Sequence, residues 1–151
     1  MRDRVGVDGC RFGWIAVFED QDALGYRLCR GFDELVSGFP GAAVFVDIPI
    51  GLPWSGCPTR PCDVEARRRL GPRASSMFSA PARAACNAST VAEARRLNVE
   101  ELGRSLSSQA FGICPKVAEV DLVLRTDADA GVESARSILS SASGRSTGAR
   151  R

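Results

Sequence analysis

Residues 44–53 read Val44-Phe45-Val46-Asp47-Ile48-Pro49-Ile50-Gly51-Leu52-Pro53. A short, β-rich apolar run carries one carboxylate and then breaks into prolines and a glycine. A run of this length and composition reads as a buried strand rather than a helix. The prolines and Gly51 end it. Asp47 therefore stands at the exit of a strand, where open α/β sheets place their ligands. A buried carboxylate there must be paired, hydrogen-bonded or metal-bound. An aspartate capping the following turn is an equal reading of this stretch alone.

Working outward, Arg4 to Asp8 is a second short apolar strand that ends in a carboxylate. Gly9 to Gly13 reads as a turn, and Trp14 to Phe18 as the strand that closes a hairpin. Glu19 to Leu24 is a polar turn, and Gly25 to Arg30 is a third strand. Phe32 to Ser37 reads as a helix with Asp33 near its N-cap, ended by Gly38. Ala43 to Asp47 follows as strand four. A strand reached through a helix tends to lie parallel to an earlier one, here the first. Asp8 and Asp47 then lie at the same end of adjacent strands. Such strands are about 4.8 Å apart, a spacing at which two carboxylates can share a divalent cation.

Beyond Pro53, Trp54 to Pro61 is a loop and Asp63 to Leu70 a helix whose acidic start and basic end match its dipole. Gly71 and Pro72 stop it, and Arg73 to Pro81 reads as a loop. Thr90 to Leu102 is an amphipathic helix with Val91, Ala94, Leu97 and Leu102 on one face. Ser105 to Pro115 is a turn or a helix start. Lys116 to Arg125 is helical or extended; as a helix it turns Val117, Val120 and Leu124 inward and Glu119 away from them. From residue 126 to residue 151 the composition reads as a disordered tail, with six serines, four arginines and no aromatic side chain over 134–151.

The totals fit one domain: 151 residues, 44% hydrophobic and 25% charged. No apolar run is long enough to span a membrane, and no secretory signal opens the chain. A cytoplasmic protein without a membrane partner is expected. The net charge of +2 does not by itself announce a nucleic-acid binder. Residues 66–104 hold eight arginines against Glu93, Glu100 and Glu101. Such a stretch can grip a polyanion, but it reads first as a solvated face. The six cysteines have no histidine beside them, and Cys57 and Cys62 form the one close pair. Neither a zinc site nor a disulfide framework is expected.

Several motifs occur in a telling order: Val5-Gly-Val-Asp-Gly-Cys-Arg11 with Gly13-Trp14; Val46 to Pro53; Arg60 with Cys62-Asp63 and Glu65-Ala-Arg67; Ser75-Ser-Met-Phe-Ser-Ala-Pro81; Ser107 to Phe111; Pro115-Lys116; and Glu119-Val-Asp121. Over about residues 4–125 the chain resembles the bacterial and archaeal domain-of-unknown-function family predicted to be RNase H-like nucleases. The resemblance implies an α/β RNase H-like core, three antiparallel strands followed by parallel ones. It also implies a carboxylate site on the first and fourth strands, matching Asp8 and Asp47. In that fold two metal ions, Mg²⁺ or Mn²⁺, activate a water and stabilise the leaving oxygen of a phosphodiester. The domain so defined spans 1–125 and is incomplete at its C-terminal end. Members of the family continue with a histidine-proline-glutamate motif, whereas this chain has no histidine. Common codons for Arg136 to Ser140, read in a shifted frame, give Glu-His-Pro-Glu, so a frameshifted tail is the working hypothesis. A core shortened in this way is expected to leave apolar surface uncovered.

On these grounds the candidate catalytic residues are Asp8, Asp47 and Glu119, and the candidate metal ligands Asp8, Asp47 and Asp121. Glu119 and Asp121 are about 200° apart on a helix, so one of the two can face a site. Arg60, Arg67, Ser76 and Lys116 are candidates for holding substrate, with Ser75 and Ser79 as further donors. Asp63 and Glu65 favour their helix dipole, and Trp14 is expected in the core. The leading function is a metal-dependent nuclease, inactive if the truncation removes part of the site. The alternatives are a nucleotide-binding domain of actin or sugar-kinase type and a non-catalytic remnant that binds a partner.

Overall fold

A computed structural model describes residues 3–126. The described residues divide into two compact units, 3–47 with 122–126, and Ile48–Asp121. Apart from Thr126, the tail and the proposed frameshift site lie outside the described residues.

The first unit is built on a four-stranded sheet of order β3-β2-β1-β4. Its strands are β1 (Arg4–Gly9), β2 (Trp14–Asp20), β3 (Ala23–Cys29) and β4 (Ala43–Val46), with helix α1 (Phe32–Gly38) between the last two. β1 and β2 pair antiparallel, as do β2 and β3, and β4 lies parallel to β1. The expected strand order and directions are present in a mixed α/β fold. Two local details differ. The turn expected over Glu19–Leu24 contracts to Gln21 and Asp22, because both adopt positive φ (48° and 65°), as a tight type I′ hairpin requires. Gly31 is the N-cap of α1 with Asp33 in its first turn, near the cap as expected, and the Glu34 carboxylate accepts the Arg30 backbone N–H at 2.8 Å. Strand β4 stops at Val46, one residue short of Asp47.

Alternation along the strands sorts the two faces. Val5, Val7, Trp14, Ala16 and Cys29 are buried on one face. α1 packs against β2 and β3 and contributes buried Phe32 and Leu35. Trp14 meets Phe32 edge-on, with ring centroids 5.1 Å apart, and belongs to the core as expected. The other face carries Val17, Leu24, Tyr26, Leu28 and Phe45, all exposed, with Leu24 at 83% and Tyr26 at 72%. The register places these side chains together on that face.

The second unit is helical. It contains α2 (Pro61–Leu70), a 3₁₀ turn (Gly71–Ser76), α3 (Arg83–Cys86), α4 (Val91–Leu102) and most of α5 (Ser108–Thr126). Proline at the first position of α2 costs no hydrogen bond. The 3₁₀ turn replaces the first half of the loop expected over Arg73–Pro81. α4 opens on a Thr90 side-chain cap and closes on Gly103 in the left-handed region (φ 67°). The stretch Lys116–Arg125, expected as helical or extended, is helical and continuous with the segment before it. Leu52, Cys86, Ala94, Leu102, Cys114 and Val117 belong to one buried cluster.

Gly13, in the first hairpin turn, lies close against the backbone at the end of β3. At its φ of 152°, an added Cβ would overlap the carbonyl oxygens of Cys29 and Arg30. Gly13→Ala is expected to lower stability by about 3 kcal/mol. Gly41→Ala meets no atom within 4 Å at φ 75° and should cost about 1 kcal/mol for its left-handed backbone alone. Urea unfolding of both variants checks the contrast.

Candidate functional site

The parallel β1–β4 pair positions the first two candidates. Its register runs from Arg4 opposite Ala43 to Val7 opposite Val46. Asp8 and Asp47 are the residues that directly follow this last pair. Both side chains are exposed. Asp8 Oδ1 accepts the Gly9 N–H at 2.7 Å, which orients the carboxylate. Alternation puts Asp8 on the open sheet face, opposite to Val5 and Val7. Among the described residues, no three Asp, Glu or Cys side chains form a group able to hold a metal ion. Two carboxylates beside solvent nevertheless suit one hard cation of the Mg²⁺ kind, which keeps several waters and takes one or two carboxylates. They do not make a dedicated two-metal cage.

The proposed substrate-binding residues lie in the second unit and are tied to it. Arg60 forks onto buried Asp63, with Nε at 2.9 Å from Oδ2 and Nη2 on Oδ1, and Nη1 donates to the Ile50 carbonyl at 3.0 Å. The Arg60 and Asp63 side chains are 14% and 8% exposed. Arg67 donates to the Ala74 and Met77 carbonyls and to Ser79 Oγ at 2.9–3.0 Å. Ser76 Oγ donates to the Arg73 carbonyl at 2.7 Å. These arginines hold the chain's own oxygens in the geometry they would present to a phosphate. On the exposed side of α2, Arg68 and Arg69 pair with Glu65 and draw its carboxyl down to about 2. A depressed carboxylate adds stability above its ordinary pKa and loses it as pH falls through the depressed value. Exposure to solvent keeps that contribution small.

On α5, Lys116 and Glu119 form a long ion pair at 3.9 Å. Val117 and Val120 are buried as the helical reading requires, but Val123 rather than Leu124 continues that buried face, and Leu124 and Glu119 are half-buried. Both Asp121 oxygens take a fork from Arg83, at 2.8 and 3.1 Å. That hydrogen bonding raises the Arg83 pKa above its ordinary value. Asp121 thus has a cation partner of its own within the second unit. All six cysteines are free thiols. The buried Cys86 thiol is pushed up by hydrogen bonding with Cys114 and by burial.

Two residues escaped the sequence reading. Asn98 sits on the apolar face of α4, 1% exposed. It accepts the Ala82 N–H and donates to the Arg104 carbonyl, at 2.8 and 2.7 Å. Arg104 lines a pocket with the Met77–Ala80 loop. An asparagine within an otherwise apolar helix stripe was the one available signal.

A family model described as "Protein of unknown function (DUF429)" matches residues 6–136. Its range reaches past the boundary near residue 125. No curated protein and no solved structure matches. No described helix is long and apolar enough to cross a membrane.

The tied arginines generate a stability prediction. Arg60→Ala strands a buried carboxylate and should cost about 3 kcal/mol, read as a lower urea midpoint. Arg68→Ala, in an exposed pair, should leave the midpoint almost unchanged. Equal midpoints for the two variants would contradict the structural role of Arg60.

Proposed function

The chain belongs to the DUF429 family of proteins of unknown function, and from that premise we propose that it is a metal-dependent phosphodiester hydrolase of RNase H-like fold. Its substrate on this reading is nucleic acid and its setting the cytoplasm. The observation that carries the reading is the parallel β1–β4 register, whose last pair, Val7 opposite Val46, is followed by Asp8 on one chain segment and Asp47 on the other. The mixed sheet, with three antiparallel strands and a fourth parallel to the first, supports it further.

Asp8 and Asp47 would hold one Mg²⁺ or Mn²⁺ ion, with water filling its other positions. When bound, such an ion activates water and stabilises charge on a phosphoryl oxygen. Both side chains are exposed, and neighbouring strands lie about 4.8 Å apart, a spacing at which two carboxylates can share a cation. The Gly9 N–H steadies one Asp8 oxygen. The proposal rests on these two carboxylates. Asp121 is committed to Arg83, and Arg60 and Arg67 are committed to the backbone and Asp63. Substrate phosphates are therefore expected to meet few unengaged cations, which agrees with the small net charge of +2.

Mn²⁺-dependent cleavage of a panel of single- and double-stranded DNA and RNA tests the reading. Asp8→Asn or Asp47→Asn should each lower cleavage at least a hundredfold without lowering the unfolding midpoint. Cleavage that survives both changes would sink the assignment. An absence of Mn²⁺ binding would instead favour a partner-binding role, for which the uncovered apolar sheet face is the supporting observation.

A further inference from the structure

The second unit contains a cavity of about 200 Å³ between the Met77–Ala80 loop and the Arg104–Ser107 turn, with Asn98 and Ala110 behind them. We propose that it is a binding site for a small organic oxyanion, a carboxylate or phosphate ester with a compact apolar body. It is separate from Asp8 and Asp47, which belong to the first unit, and its test does not depend on cleavage.

Arg104 supplies the first argument. Its Nε is closed off from solvent and has no hydrogen-bond partner among the described residues. That atom is beyond a ligand's reach, so what the cavity offers an anion is the charge of Arg104, a lining residue in no ion pair among the described residues. No carboxylate lines the cavity to provide one. An incoming oxyanion would supply the countercharge.

Hydroxyl chemistry points the same way. Ser79 Oγ already accepts from Arg67, and Ser107 Oγ already accepts the Ala110 N–H at 3.1 Å. Each hydroxyl keeps its own proton for donation. Met77, Phe78, Leu106 and Ala110 provide apolar wall. With a water occupying about 30 Å³ of liquid, the cavity admits a ligand of single-ring size rather than a nucleotide chain.

Preorganisation is the third argument. Arg67 pins the Met77 carbonyl and Ser79 on one wall. Arg95 pins the Leu106 carbonyl and Ser108 on the other. Asn98 ties Ala82 to the Arg104 carbonyl at the back. Walls held in place before a ligand arrives reduce the ordering cost of binding.

Titration of the ¹⁵N-labelled full chain with benzoate, phenyl phosphate and inorganic phosphate, followed by amide shifts, tests the site. At least one of the two aromatic anions should give saturable shifts confined to residues 77–80 and 104–107. Whichever of the two binds more tightly identifies carboxylate or phosphate as the head group. Arg104→Gln should weaken that binding about ten- to a hundredfold, and Arg104→Lys less, with the unfolding midpoint of both retained. No saturable shift at these residues with either aromatic anion would overturn the proposal. So would undiminished binding by folded Arg104→Gln. Inorganic phosphate binding as tightly as phenyl phosphate would also overturn it, because the apolar wall would then contribute nothing.

Discussion

Parallel strands cannot be joined by a tight turn, so the β1–β4 pair depends on a chain that first leaves the sheet and returns. Here β2, β3 and α1 separate the two strands, and the pairing re-forms over Arg4–Val7 and Ala43–Val46. The register of that pair decides whether Asp8 and Asp47 can act together. A slip of one residue would send every side chain of β4 to the opposite face. The buried alternation of Val5 and Val7 on β1, matched by half-buried Val44 and Val46, opposes such a slip. Apolar burial on one face thus places the two carboxylates at the end of the other.

Charge is used differently in the second unit. Its arginines are mostly structural devices. Arg60 neutralises a buried aspartate, Arg83 forks onto Asp121, and Arg67 gathers two carbonyls and a hydroxyl. Each engages its partners through planar, directional hydrogen bonds that a lysine ammonium could not reproduce. That role explains an arginine-rich stretch in a chain of low net charge without invoking a polyanion. Arg104 differs because its Nε has no such partner.

Elements with a strong local signature were legible in the sequence. The two carboxylate-ended strands, the parallel fourth strand and the capped helix α4 follow from alternation, punctuation and spacing. The two-residue length of the Gln21-Asp22 turn was not, because neither residue is a glycine that would announce positive φ. The short α3 carries too few residues for a period. Half of the candidate site was legible on the same terms. Asp8 is the penultimate residue of β1 and Asp47 directly follows β4, so their position follows from the sheet. The engagements of Arg60, Arg67 and Asp121 depend on side-chain partners three to 38 residues away, which spacing does not encode. The Arg104 pocket was hidden for the same reason: its walls come from segments about 25 residues apart in a chain with no binding motif at either.

The central claim is that Asp8 and Asp47 form one cation site at the end of the sheet. Substoichiometric Mn²⁺ added to the ¹⁵N-labelled chain tests it most directly, through paramagnetic broadening of amide signals. The account predicts broadening centred on Asp8, Gly9 and Asp47, and its loss in the Asp8→Asn, Asp47→Asn double variant. Broadening centred elsewhere, or unchanged in the double variant, would contradict it.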